Sequence, residues 1–334
     1  MNHYDENIIP LPELLKKKNK AKILIMRREG SLGDSILTMG YYESLKKFST
    51  NIQTDVFCLY PAEPFLKTLP YIDNLYVLGF SKLRLHRCWL HFLFWGLFFR
   101  LKNYDYVIDD NPYEGKNWAY FAWIIGKNKF VRAEKLFSSI KSKCRHIMEM
   151  LGVPWQETPL RIDKKSDEKL KSFLSERNIE KYIFLNCFAS VMEKSFSADS
   201  FCSIVRLLRN NNINLPILFP CQSKQKELAE QYLAMADKTL EGRANVFYFE
   251  THSPYDLFAA VSDKQCCLAI TPDTSAVHIA AMYKKNIIVF YKDEYAFNNY
   301  RTENENAAHI YSKSGDVNTF SDEVFLDNVK RFLS

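Results

Sequence analysis

The stretch CCLAITPDTSAVHIAAMYKKNIIVFY, residues 266–291, constrains the fold more than any other part of the chain. Cys266 to Ile270 is a short apolar run of the strand type. Thr271 and Pro272 form a turn pair that ends it, and Asp273 opens a helix whose apolar residues are Ala276, Val277, Ile279 and Ala280. A second apolar run, Ile287 to Tyr291, supplies the next strand. Strand, hydroxyl-bearing turn, helix and strand in so short a span make a βαβ unit, which sets a helix N-terminus at the C-terminal edge of a parallel sheet. The first-turn amides there have no intrahelical partner and the helix dipole is positive, so such an edge attracts phosphate groups.

The same pattern recurs on both sides of a proline-containing linker at residues 152–159. Before it, KILIMR (22–27), TDVFCLY (54–60), NLYVLGF (74–80), YDYVIDD (104–110) and NKFVRA (128–133) read as strands, and helices are expected at 34–48 and 138–151. After it, strands are expected at 182–188, 215–220 and 245–250 in addition to the two of the opening stretch. Helices fall between them, and a last one covers 321–332. Alternation of this kind argues for α/β architecture with two Rossmann-like, doubly wound domains facing a cleft. Residues 1–21 read as an N-terminal extension, 22–155 as the first domain and 160–334 as the second, whose final helix is expected to pack back on the first.

Formal net charge is +6, and it is uneven. Residues 1–160 hold 23 Lys and Arg against 16 Asp and Glu; the remainder hold 22 against 23. The basic excess suits an anionic partner for the first half, a phosphorylated glycan or lipid headgroups. No nucleic-acid-binding motif accompanies the charge, so no nucleic-acid partner is expected. The eight cysteines lack CxxC spacing and several sit in apolar runs, which suits reduced core residues in a cytoplasmic protein. The first twenty residues contain no apolar core of a signal peptide, and no stretch of about 20 apolar residues exists to span a bilayer.

One segment departs from the domain pattern. RLHRCWLHFLFWGLFFRLK, residues 84–102, is almost wholly apolar and aromatic from Cys88 to Phe99 and is bracketed by Arg84, Arg87, Arg100 and Lys102. It reads either as a helix packed on the sheet or as an interfacial helix that touches a membrane surface, and one helix can do both.

Four local features carry candidate chemistry. Ser31-Leu32-Gly33-Asp34 follows the first strand; Asp34 is either an N-cap or a carboxylate facing the cleft as a general base. Ser190 and Lys194 lie in the loop after the first strand of the second domain, where a lysine can neutralise a diphosphate leaving group. Asp273, Thr274, Ser275 and His278 gather at the sheet edge of the opening stretch, more polar groups than a cap needs. Arg28, with Lys143 and Arg145, is a candidate for an anionic acceptor. Asp109 and Asp110 have no third ligand in metal-binding spacing, and no metal is expected. No Walker A, HExxH, GxSxG or GxGxxG run is present.

Together, KILIMRREGSLGD, YDYVIDD, LNCFAS followed by EKSF, and TPDTSAVHIAAMYKKNIIVFY resemble family 9 glycosyltransferases, the lipopolysaccharide heptosyltransferases. The resemblance runs from Lys22 to about Tyr291. It implies GT-B architecture and inverting, metal-independent transfer of a heptose from an ADP-sugar to a lipid-linked core acceptor, by a peripheral protein at the inner face of the inner membrane. No cofactor is implied beyond the nucleotide-sugar co-substrate. Asp34 would be the base; Lys194 and Ser190 would hold the donor, with Asp273, Thr274, Ser275 and His278 completing its pocket; Arg28 falls where the family has a basic residue. The chain has Cys187-Phe188 where the family has Pro-Gly, and Ser275 where it has Gly. A sugar-nucleotide epimerase and a nucleotide-binding scaffold without turnover are the rival readings.

Overall fold

The structure, a computed structural model, describes residues 8–27, 31–59, 62–78, 89–109, 116–132 and 140–334. The chain divides into two compact units, Met1–Thr158 and Pro159–Ser334.

The first unit runs α1 (Leu11–Lys18), β1 (Ala21–Arg27), α2 (Leu32–Leu37), α3 (Met39–Phe48), β2 (Ile52–Leu59), α4 (Glu63–Leu66), β3 (Asn74–Leu78), α5 (Trp89–Lys102), β4 (Tyr106–Asp109), α6 (Lys116–Ile125), β5 (Phe130–Val131) and α7 (Ile140–Met150). Its sheet is parallel throughout, in the order β3-β2-β1-β4-β5. The order reverses between β1 and β4, because the chain winds outward from β1 first in one direction and then in the other. Strands β1, β2 and β4 are buried along nearly their whole length, which is why they read as continuous apolar runs.

Residues 8–20 form more than an extension. Pro12 sits in the first turn of α1, where a missing amide costs nothing, and Leu11 and Leu14 are buried. The amide of Leu11 donates to the Leu151 carbonyl at 2.8 Å, and the phenol of Tyr106 donates to the carbonyl of Ile9. The expected helix over 34–48 is two helices. Thr38, fully buried, breaks it: its hydroxyl donates back to the carbonyls of Asp34 and Ser35, both at 3.1 Å, in place of a regular continuation.

The segment that closes the first unit is clamped onto α3. Gly152 has φ +67°, a left-handed turn that ends α7, and Val153 N–H reaches back to the Met148 carbonyl at 2.9 Å. Trp155 then lies against Gly40; a Cβ on Gly40 would meet the Trp155 ring at 2.1 Å. Glu43, 1% exposed, accepts from Thr158 N–H at 2.8 Å, from the Thr158 hydroxyl at 2.5 Å and from Lys47 at 2.7 Å. Burial alone would raise its carboxyl, but the Lys47 ammonium and the two Thr158 donors outweigh burial and hold it below the ordinary carboxylate range.

The second unit runs α8 (Lys164–Glu176), β6 (Tyr182–Leu185), α9 (Ala198–Asn210), β7 (Ile217–Gln222), α10 (Lys226–Thr239), β8 (Val246–Thr251), α11 (Pro254–Ser262), β9 (Cys266–Pro272), α12 (Ser275–Met282), β10 (Ile287–Tyr291), α13 (Glu294–Tyr300), β11 (Ala307–Tyr311) and α14 (Asp322–Leu333). Six parallel strands lie in the order β11-β10-β9-β6-β7-β8, with the reversal between β6 and β9. Both units are therefore doubly wound α/β layers, as the alternating sequence pattern predicts. The final helix lays Phe325 and Val329 on the core of its own unit, with Phe325 and Phe290 ring centroids 6.0 Å apart. Seven described cysteines are free thiols and six of them are buried.

Two outcomes test the clamp. Gly40→Ala is expected to lower stability by about 1–3 kcal/mol by overpacking against Trp155, although alanine is the better helix former; a rise in Tm would contradict the close approach. Glu43 contributes stability that is full above the carboxylate range and lost as pH falls through its depressed folded-state value. The Tm gap between the wild type and Glu43→Gln should therefore narrow on acidification, and a gap independent of pH would count against the ionised clasp.

Candidate functional site

In doubly wound sheets, ligands bind beyond the carboxyl ends of the strands where the strand order reverses. In the second unit that point lies between β6 and β9, and the polar residues of both strand ends meet there. Strand β9 carries on through Thr271 and Pro272, where a turn is expected from the sequence; Pro272 is its last residue, and the next amide, Asp273 N–H, takes over the pairing by donating to Phe290 at 3.0 Å. Asn186, just past β6, is buried. Its amide NH₂ is shared among the Thr271 and Thr274 hydroxyls, each at 3.1 Å, and the Phe188 carbonyl at 3.3 Å. Thr271 and Thr274 are themselves 2.9 Å apart, oxygen to oxygen. One side chain thus ties the end of β6, the end of β9 and the start of α12.

The cap of α12 is Thr274, whose hydroxyl accepts from Ala276 N–H at 3.3 Å, and not Asp273. Asp273 is released from capping and pairs with Lys194, Nζ to Oδ2 at 2.8 Å. Lys194 ends a single helical turn, residues 192–194, in the loop after β6, and its ammonium also lies 5.3 Å from the Tyr300 ring centroid. The loop is held from beneath: Ser195, buried, accepts from Ala189 N–H at 2.9 Å, and Phe196 N–H donates to the Cys187 carbonyl at 2.9 Å. Ser190 is exposed at the crest of this loop. Ser275 is the first residue of α12 and half-buried, as is His278 one turn further on.

The site's environment limits its chemistry. Burial pushes the Cys187 thiol well above its ordinary value, so that group is a core side chain and not a nucleophile. Burial first, and the Asp273 carboxylate second, hold the Tyr291 phenol well above its usual range. Among the described residues no three His, Cys, Asp or Glu side chains converge as a metal site would require. What remains is a fixed cation beside a helix N-terminus and several hydroxyls, an arrangement that can bind a phosphorylated ligand.

In the first unit the corresponding reversal lies between β1 and β4. Asp34 reads from the sequence either as an N-cap or as a general base, and the structure gives the cap to Ser31. Ser31 caps α2, accepting from Asp34 N–H at 3.1 Å, and its hydroxyl donates to the Asp34 carboxylate at 2.5 Å. Asp34, half-buried, is oriented by this bond and is not itself the N-cap. Asp109, the last residue of β4, pairs with Arg132 at 2.9 Å, a structural role. Arg28 lies outside the described residues. Lys143 and Arg145 stand on α7, the first half-buried and the second exposed. The structure pairs Lys194 directly with Asp273 and ties the neighbouring Thr274 to Asn186, while Ser190 lies exposed in the loop after β6 and His278 half-buried on α12. Asn186 and Thr271 are members that local motifs do not reveal; the only signal in the sequence is an amide and a hydroxyl placed at the ends of two apolar runs.

Two Rossmann-like α/β units in tandem define the GT-B class of fold. No protein-family model matches the chain, and no characterised protein sequence matches it at a significant level. Solved structures do. A family 9 glycosyl transferase from Veillonella parvula aligns with TM-score 0.71 and 17% identity over 94% of this chain and 97% of that one. ADP-heptose LPS heptosyltransferase II of E. coli aligns with TM-score 0.64 and 14% identity over 93% and 98%. The UDP-GlcNAc 2-epimerase of Methanocaldococcus jannaschii aligns with TM-score 0.57 and 12% identity over 94% and 93%. At these identities the likeness is one of fold.

The clasp at the strand ends has an energetic signature. Asn186→Ala should cost about 1–3 kcal/mol by leaving buried hydroxyls short of a donor, whereas Lys194→Ala should shift stability by less than about 1 kcal/mol. Chemical denaturation of the two variants compares them, and equal losses would mean that Asn186 is not the hub.

Proposed function

We propose that this chain is an inverting, metal-independent glycosyltransferase that uses a nucleotide-sugar donor, an ADP-heptose, and a lipopolysaccharide-type core acceptor. The observation that carries this reading is the ion-paired Lys194 beside the N-terminus of α12 at the β6/β9 reversal. The fold shared with a family 9 glycosyl transferase and with an enzyme named for ADP-heptose supports it. So does the resemblance of the motifs around Asp34, Lys194 and Asp273 to that family.

In this reading the acceptor hydroxyl gives its proton to the Asp34 carboxylate as its oxygen attacks the anomeric carbon from the face opposite the leaving group. The bond from that carbon to the diphosphate oxygen breaks with inversion, and the nucleoside diphosphate departs with the added negative charge. Lys194 meets that charge. Held at 2.8 Å by Asp273, its ammonium is positioned before the donor arrives and needs little reorganisation during the reaction. Thr274 and Ser275 offer hydroxyls and the first amides of α12 to the phosphates. Ser190 and His278 line the donor side, and Arg28, Lys143 and Arg145 attract the anionic acceptor. The protein acts at the cytoplasmic face of the inner membrane; among the described residues no helix is long and apolar enough to cross a membrane.

The epimerase neighbour gives the rival reading a specific basis. One assay separates them: the protein is incubated with ADP-, UDP- and GDP-sugars, with and without truncated core acceptor, and products are followed by mass spectrometry. Acceptor-dependent release of ADP is the expected result. Isomerised donor without acceptor would replace the transferase with the epimerase, and binding without turnover would leave a scaffold. Asp34→Asn should reduce transfer by about 10²–10⁴-fold while nucleotide binding persists; retained turnover would remove Asp34 as the base.

A further inference from the structure

Helix α5 is apolar on two opposite sides. Inward, Phe92 and Phe99 are buried, and Trp95 and Phe99 pack on Phe57, with centroids 5.2 and 5.1 Å away. Outward, Leu90, Phe94, Leu97 and Leu101 follow one another at spacings of four, three and four, which places them on a single stripe. That stripe is open to solvent, with Phe94 62% and Leu101 86% exposed. Helix α6 repeats the arrangement: Phe121, Ile124 and Ile125 are buried, while Tyr120 and Trp123 are exposed with ring centroids 5.9 Å apart.

The two helices cross closely. A Cβ on Gly96 would lie 3.0 Å from the Ile124 side chain, and the Arg100 guanidinium donates to the Ile124 carbonyl at 3.2 Å. Leu97 and Trp123, next in sequence to the two residues at the crossing, are both exposed, which sets an exposed apolar residue of each helix beside the crossing. Among the described residues, six of the fourteen exposed large apolar side chains belong to these two helices. A water-facing surface rarely concentrates them so, and a helix apolar on both its inner and outer sides calls for an apolar medium on the second.

Charge selects the medium. Neither helix contains an Asp or Glu, while Arg100 and Lys102 stand at the end of α5 and Lys102 lies 5.3 Å from the Phe98 ring centroid. The unit around them carries 23 Lys and Arg against 16 Asp and Glu. A two-fold contact with a second copy would set these two helices, which carry cations and no carboxylates, against their own copies. An anionic bilayer satisfies both features, with acyl chains for the stripe and phosphates for the cations. At fourteen residues α5 is about 21 Å long, short of the roughly 30 Å hydrocarbon core, so it lies on a bilayer and does not cross it.

We propose that α5 and α6 form one lipid-docking face, with Leu90, Phe94, Leu97 and Leu101 entering the acyl boundary of an anionic membrane and Tyr120 and Trp123 resting at headgroup level. This rests on the surface of the first unit alone and stands or falls separately from sugar transfer. The full-length protein is mixed with vesicles of phosphatidylcholine, with and without phosphatidylglycerol, and bound protein is measured by flotation at low and high salt. Binding to the anionic vesicles that weakens with salt is expected. Phe94→Glu and Leu97→Glu should each lower the partition coefficient at least about tenfold with Tm unchanged, and Lys102→Glu about fivefold per unit of charge on anionic vesicles only. Trp123→Glu probes the second helix should either α5 variant fail to fold, and Val324→Glu, an exposed apolar site in the other unit, should leave binding unaltered. No binding to either vesicle, or equal binding by wild type and the α5 variants, would overturn the proposal. A wild-type dimer in sedimentation that Leu97→Glu dissolves, without vesicle binding, would assign the face to a second copy instead.

Discussion

The pairing of β6 with β9 joins segments far apart in the chain, and most of what is distinctive in the second unit depends on it. Because β6 leads outward through β7 to β8, and β9 leads the other way through β10 to β11, this pair is the seam of the sheet. A seam leaves an open crevice beyond its strand ends, since successive crossovers leave in opposite directions. Asn186 closes the floor of that crevice with bonds to Thr271 and Thr274. Once Thr274 is held, α12 starts there, Asp273 is turned away from the helix, and Lys194 finds its carboxylate. The cation's position is a consequence of strand pairing and not of the loop that carries it.

Buried carboxylates serve a different purpose elsewhere. Glu43 receives the Thr158 hydroxyl and amide, Asp55 receives the Tyr104 phenol at 2.6 Å, and Asp256 receives Lys169 at 2.7 Å and the Ser166 hydroxyl at 2.8 Å. Each ties together segments that apolar packing alone would leave free to slide: the end of the first unit on α3, β2 on the chain entering β4, and α8 on α11. Such a group is costly to bury unless every donor is present, so each defines one arrangement and disfavours its neighbours. At Asp256 the Lys169 ammonium, the His252 amide and the Ser166 hydroxyl overcome the effect of burial and hold the carboxyl below its ordinary range.

The architecture was legible in the chain because parallel strands buried on both faces appear as unbroken apolar runs, and between them lie helical spacings and Gly, Pro or Ser turns. Elements without that signature were not. Helix α1 is eight residues long with three lysines in its last turn, and it is stable only because Leu11 and Leu14 pack beneath it. Strand β11, AAHIY, lies at the sheet edge and is only partly buried, so its sequence has no continuous apolar run. The break at Thr38 was hidden as well, since the residue suits a helix until its buried hydroxyl finds the carbonyls behind it.

The candidate site divides along the same line. Asp34, Lys194, Asp273 and Thr274 stand out locally because polar residues at the ends of apolar runs face the open edge of a parallel sheet. Which of two nearby polar residues becomes the cap depends on which one takes an extended backbone, and that choice went to Ser31 and Thr274 only in the folded chain. The amphipathic conflict of α5 is visible in its composition, but which of its faces is covered is decided by where Phe57 and Ile124 lie. The sequence by itself determined the α/β class, the doubly wound order of elements and the polar candidates at their ends, because these follow from periodicity and turn chemistry within a few residues. Only the tertiary structure decided the Lys194–Asp273 pair, the Asn186 clasp and the open face of α5 and α6, because each arises from the approach of segments that no local pattern brings together.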